Sequence, residues 1–250
     1  MTEVLAMAWW LVLLLLVGGV AGGLFVGGYY LLRETADKRP DWFFGMLLIT
    51  LSFTLFHNFL IHLNIFTERP GWLFLPVYFT LSLGPLLFFF VKIKLYPAYQ
   101  IRFSDAKHLI LPAAQFLYFC YMFLQPAAYR QEVGREFYSP FYGGVEMLLY
   151  IGGFWAYHYF AYRYIRSKSL QNKNPQVPAA ALQVAWLKRM VKVLFVLFFL
   201  NAAYILTDFF SYEIFGLNLH LLTGFGHVGS LSLASMLYWL TFNGWVMRRV

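Results

Sequence analysis

Nine polar side chains lie inside otherwise apolar stretches of this 250-residue chain and could do chemistry there. Two are acids, Glu146 and Asp208. Three are imidazoles, His57, His62 and His227. Asn58, Asn201, Tyr150 and Tyr204 complete the set. Tyr150 follows Glu146 by four residues and Tyr204 precedes Asp208 by four, so on helices each tyrosine shares its acid's face. Asn201, seven residues before Asp208, lies near that same face. A carboxylate inside a membrane is costly and ordinarily faces a bundle interior or a cavity, where it finds a partner. Acids, imidazoles and amides gathered in this way could bind a small ligand or respond to protonation. They could also form a satisfied hydrogen-bond network that only ties helices together. For a single histidine that structural role is the commoner expectation.

Other chemistries are disfavoured. His57 and His62 are five residues apart, a spacing that does not put both on one helix face. No HExxH phrase or Cys/His cluster occurs, so no metal site is expected. Cys120 is the single cysteine, which excludes an intrachain disulfide, a four-cysteine zinc site and a CxxC redox pair. No cofactor is expected, a bis-histidine haem between His57 and His227 being the one alternative. Retinal would need a lysine in mid-membrane for its Schiff base. The last apolar stretch has none, and Lys192 lies at the edge of the one before it. No GxSxG, Walker or Rossmann phrase is present, so the chain is not expected to be an enzyme.

The elements that must carry these residues follow from composition. The chain is 61% hydrophobic and only 12% charged, with a mean hydropathy of +0.62. Soluble domains carry about a quarter charged residues. Seven apolar stretches approach or exceed the roughly 20 residues that cross a bilayer: 8–32, 42–66, 72–95, 108–128, 141–165, 190–212 and 220–247. The expectation is an all-α membrane protein, a single seven-helix domain over 1–250. Its first stretch has Glu3 and no basic leader, so it reads as an uncleaved span rather than a signal peptide.

Charge sets the orientation. Of the 19 lysines and arginines, all but Arg69, Arg130 and Arg135 fall in alternate loops and the carboxyl-terminal tail. The positive-inside rule then puts the amino terminus outside and the carboxyl terminus in the cytoplasm. Nucleic acid is not needed to explain the net charge of +8. The largest basic surface holds Arg163, Arg166, Lys168, Lys173, Lys188 and Arg189. It would attract anionic lipid, or alternatively dock an acidic cytoplasmic partner. At ~1.5 Å per residue, this orientation brings the ionisable groups of the second, fifth, sixth and seventh spans to similar depths in the outer half of the membrane.

Three further features carry expectations. Gly19, Gly23 and Gly27 recur at four-residue spacing, which lets two helix backbones approach closely. They suit packing against another span of this chain, or a homodimer seam. Gly84 and Pro85 predict a kink in the third span. The segment 178–192 reads as an interfacial helix feeding the sixth.

Four phrases add a resemblance. They are LSLGPLLFFFVKIKLYP (81–97), KHLILPAAQFLY (107–118), LQVAWLKRMVKVL (182–194) and LYWLTFNGW (237–245). Through Gly84, Pro85, Lys92, His108, Pro112, Trp186, Leu187, Tyr238 and Trp239 the chain resembles a seven-span module of Bacteroidetes-type bacteria. That module is the membrane-bound sensor part of AraC-family regulators. The resemblance implies a receptor-like signalling module in a bacterial inner membrane. The helix-turn-helix domain that usually accompanies the module is not in this sequence, so DNA binding is not carried over. The competing expectation is a non-catalytic accessory subunit of a larger membrane complex.

Overall fold

The computed structural model describes residues 2–135, 143–171, 178–219, 222 and 224–247. Among them there is no strand. Nine α-helices follow one another: α1 (Thr2–Leu32), α2 (Lys38–His62), α3 (Ile65–Glu68), α4 (Thr80–Leu95), α5 (Ile110–Phe123), α6 (Ala127–Arg135), α7 (Gly143–Gln171), α8 (Pro178–Phe215) and α9 (Phe225–Met247). Three are long and apolar enough to cross a membrane: Met7–Leu32, Lys38–His62 and Ala181–Phe215. Large apolar side chains cover the outside as well. Trp10, Leu14, Phe25, Leu117, Tyr159 and Phe242 are all exposed. Contiguous apolar surface of this extent suits lipid rather than water, and the chain is membrane-embedded.

Direction alternates along the seven principal helices. Gly19 meets Leu55 and Gly27 meets Gly45, so α1 and α2 are antiparallel. Phe44 on Phe90 and Phe53 on Phe79 turn α4 back against α2. Phe79 on Phe116 and Phe89 on His108 reverse α5. Thr80 with Glu146 and Tyr96 with Tyr164 make α7 parallel to α4. Tyr150 on Phe198 and His158 on Phe195 reverse α8, and Tyr204 on Phe225 reverses α9. The Tyr238 hydroxyl donates to the Leu15 carbonyl and the Tyr30 hydroxyl to the Gly244 carbonyl, which lays α9 parallel to α1. The starts of α1, α4, α7 and α9 therefore share one end of the bundle with the ends of α2, α5 and α8.

The opposite end is cationic and well tied. Asp41, in the first turn of α2, is buried. It accepts from both arms of the Arg33 guanidinium and from Thr35. Asp37 caps α2, accepting from the Arg39 backbone. The Arg39 guanidinium beside it holds its carboxyl below the usual carboxylate range. Arg39 also donates to the Tyr99 and Pro97 carbonyls at 2.6 and 2.7 Å, fastening the α1–α2 turn to the connection after α4. Burial, together with a 2.6 Å bond donated to Asp105, pushes the Tyr99 hydroxyl up to about 12. On this face Arg163, Arg166 and Arg189 are exposed, and Lys168 and Lys188 are half-buried. Lys173, Arg248 and Arg249 lie outside the described residues.

Several helices depart from the expected spans. The third stretch becomes helical only at Thr80. Pro76 interrupts it earlier, and Phe74 adopts a left-handed backbone (φ 61°) that bulky residues rarely take. Pro85 lies inside α4 without ending it. α5 has only 14 residues, about 21 Å. The segment 178–192, expected to start as an interfacial helix and feed the sixth span, runs into that span without a break as the start of one 38-residue helix, α8. Leu187, Met190 and Val191 are buried there, and Gln183 donates to the Lys94 carbonyl. That segment therefore packs on the bundle rather than lying beside it. Residues 141–142 of the expected fifth span and 220, 221 and 223 at the start of the seventh lie outside the described residues.

The glycines of α1 face α2 and α9. A Cβ on Gly19 would meet Leu55 and Tyr238, and one on Gly23 would overlap Ser52 and Leu237. At the Gly27–Gly45 crossing the backbones themselves touch: a Cβ on Gly45 would come within 2.8 Å of the Gly27 carbonyl oxygen. This face is filled within the chain, so it cannot also be a homodimer seam. Gly28, beside it, has nothing within 4 Å. Gly45→Ala is expected to cost about 1–3 kcal/mol, since the crossing must spread. Gly28→Ala should be neutral or slightly stabilising. Unfolding midpoints in mild detergent decide this; equal effects would contradict the packing described.

Candidate functional site

The end of the bundle away from the cations holds a cavity of about 210 Å³. Eight of the nine polar residues singled out above line it: His57, Asn58 and His62 from α2, Glu146 and Tyr150 from α7, and Asn201, Tyr204 and Asp208 from α8. The ninth, His227 on α9, stands behind His62 with the ring centroids 5.1 Å apart. Tyr78 and Thr80 close the side toward α4, and Gly226, Gly229 and Ser230 the side toward α9. Gly229 leaves room for Tyr204, whose ring fills the place a Cβ would take.

The polar groups are positioned by bonds between helices. Glu146 is buried at the start of α7. Its Oε1 accepts from the Thr80 hydroxyl at 3.0 Å and, over a short bond, from the Gln115 amide. Gln115 also donates to Thr80 and accepts from the Leu81 backbone N–H at 3.1 Å. One carboxylate thus joins α4, α5 and α7. One turn deeper, the Tyr150 hydroxyl donates to Asn201 Oδ1 at 3.1 Å. The Asn201 amide donates to Ser232 at 2.8 Å, and so links α7, α8 and α9. His62 Nε2 and the Ser230 hydroxyl share a 2.8 Å hydrogen bond between α2 and α9. Asp208 is buried on the far wall, near Tyr204.

The His57 ring lies 5.0 Å from those of both Phe66 and Tyr78, and its buried Nδ1 has no hydrogen-bond partner, a condition shared by His227 Nδ1 and, away from the cavity, by His158 Nδ1. Leaving a buried polar atom unmade costs about 1–3 kcal/mol, so packing alone does not account for an imidazole here.

Gln115, Thr80, Ser230 and Ser232 were not among the residues singled out. Gln115 carried the same signal as Glu146, being an amide in the middle of the apolar run of the fourth stretch. Conversely, the five-residue spacing of His57 and His62 does not separate them. The cavity is wide enough for both to reach it, His57 beside Tyr78 and His62 beside Ser230. His158 is buried against Phe154 and Phe195, deeper in the bundle, and does not reach the cavity.

His227 pairs with His62 rather than standing opposite His57. A cavity of 210 Å³ is also below even the roughly 300 Å³ of small drug pockets, so a haem between those histidines does not fit. Among the described residues, no three His, Cys, Asp or Glu groups are placed to hold a metal ion. No protein-family model, curated protein or solved structure matches the chain significantly.

The two kinds of polar residue predict opposite stability effects. Asn201→Leu strands the buried Tyr150 hydroxyl and should cost about 1–3 kcal/mol. His57→Phe removes an atom that has no partner and should leave the unfolding midpoint at or above that of the wild type. A large loss for His57→Phe would show a structural role that the geometry does not contain.

Proposed function

We propose that the chain is a receptor-like sensor module whose seven principal helices all cross a bacterial inner membrane. The amino terminus is outside, the carboxyl terminus is in the cytoplasm, and the cavity opens toward the outer side. A small external ligand, or a proton, acts at Glu146, Asp208 and their neighbours. The alternating helix directions support the seven crossings, and the gathering of cations at the end away from the cavity supports the orientation. The resemblance to the membrane part of AraC-family regulators points the same way.

One observation carries the functional part. Eight polar residues from three helices, noticed separately along the sequence, line the same cavity. A network that served only to hold helices would close on itself. This one encloses space and leaves His57 Nδ1 without a hydrogen-bond partner. The long helices α7 and α8 give the site a route to the cytoplasmic face. They stack through Phe154 on Phe198, 4.0 Å between centroids, and His158 on Phe195.

A second reading, an accessory subunit of a larger membrane complex, is favoured by α5. That helix buries only Gln115, Phe119 and Met122. It exposes Ile110, Leu117 and Tyr121 to whatever lies beside it.

The test is ligand-linked stability of the full chain in lipid nanodiscs. A ligand present at a hundred times its dissociation constant adds about 2.7 kcal/mol, a clear rise in unfolding temperature. Compounds from a small-fragment library that stabilise the wild type are expected to lose that effect in Glu146→Gln/Asp208→Asn. Equal stabilisation of both proteins, or no stabilising fragment alongside a stoichiometric co-purifying protein, would favour the subunit reading instead.

A further inference from the structure

The lining of the cavity points to the kind of ligand it takes, given that it is a ligand site at all. We propose that it recognises a small protonated amine carrying a compact apolar body. Charge comes first. Glu146 on α7 and Asp208 on α8 both reach the cavity, and among the described residues no lysine or arginine lines it. An anion would meet two carboxylates and none of the described lysines or arginines. A divalent metal ion is disfavoured in its turn, because among the described residues no three ligating groups stand close enough together.

The rest of the wall suits the amine's substituent. Most of its area is apolar, with Ile61, Met147, Ile205 and Leu233 contributing, and Tyr78, Tyr150 and Tyr204 add aromatic rings. Aromatic faces attract alkylammonium groups, more strongly where water is excluded. A sugar or polyol would bring more hydroxyls than such a wall can satisfy. Size narrows the choice further. A dry cavity of about 150 Å³ holds one benzene ring, so 210 Å³ suits such a ring with a short amine arm. A peptide or a drug-sized molecule is too large.

Polar groups suited to an ammonium are present. Among the described residues the hydrogen bonds to Glu146 both end on Oε1, and Glu146 lines the cavity. His57 lines the same wall, and its buried ring Nδ1 has no hydrogen-bond partner.

The experiment compares three probes of one shape at pH 7, phenethylammonium, 2-phenylethanol and phenylacetate, by calorimetry on the full chain in nanodiscs. Phenethylammonium is expected to bind at least tenfold more tightly than the other two. Asp208→Asn, Glu146→Gln and Tyr204→Leu should each weaken it tenfold or more, and Arg166→Gln, at the far end, should not change it. Asp208→Asn and Tyr204→Leu keep the test open if Glu146→Gln fails to fold. If the alcohol or carboxylate binds as tightly, or if the site substitutions leave the amine's affinity unchanged, amine recognition is overturned. The ligand-site reading survives that result if the better probe is still lost in Asp208→Asn. If none of the three binds at millimolar concentration, both readings fall.

Discussion

A carboxylate inside a bundle of apolar helices must be hydrogen-bonded by neighbouring helices, because hydrocarbon offers it nothing and desolvation is costly. Glu146 meets that condition through Thr80 and Gln115, and much of the cavity end depends on the result. Gln115 is one of only three residues that α5 buries, so the peripheral helix is held largely by this amide and by Phe119 and Met122. Thr80 is the first residue of α4. Fixing it also fixes the irregular segment before it, whose Phe79 N–H bonds to Thr54 on α2 and whose Tyr78 forms a cavity wall. The acid that would bind a ligand is thus also the point where three helices are joined. A change in its hydrogen bonding would be felt by all three.

The two ends of the bundle solve different problems. At the cationic end nearly every described acid is matched to a basic or hydroxyl partner: Asp41 to Arg33, Asp37 to Arg39, Asp105 to Tyr99. That end is closed and its cations are spread over the surface. At the cavity end Glu146 is held by a hydroxyl and an amide, and space is left between helices. Polar groups placed without full mutual satisfaction are expensive, and proteins keep such arrangements at functional sites. The long helices α7 and α8 join the two ends through stacked rings, so the pair can move as one body. Such a body is what a sensor in this membrane would require.

Much of this was legible in the sequence, for local reasons. A polar residue in an apolar run is conspicuous on its own, which is why Glu146, Asp208, His57, His62 and Asn201 could be named. Alternating loop charge then ordered the helices, and helical rise brought those residues to one depth. What was not legible depended on partners distant in sequence. Gln115 is neutral and looked incidental. Gly45 is a single glycine whose role appears only when Gly27 crosses it. The break before Thr80 was masked because residues 72–79 stay apolar while their backbone turns. The amphipathic start of α8 has the pattern of a surface helix, but its apolar side finds the end of α4 and α9, where the Trp239 indole donates to the Met190 carbonyl. Periodicity shows that a face will be buried, and only the packed bundle shows against what.

The claim on which the rest stands is that Glu146 is held by Gln115 across the α5–α7 gap. A double-mutant cycle of Glu146→Ala and Gln115→Ala, measured by reversible unfolding in detergent micelles, tests it directly. The account expects each single substitution to cost about 1–3 kcal/mol. The double substitution should cost clearly less than their sum, with a coupling of about 1–3 kcal/mol. Costs that add to within about 0.5 kcal/mol would mean the two side chains do not meet, and the cavity end would have to be built differently.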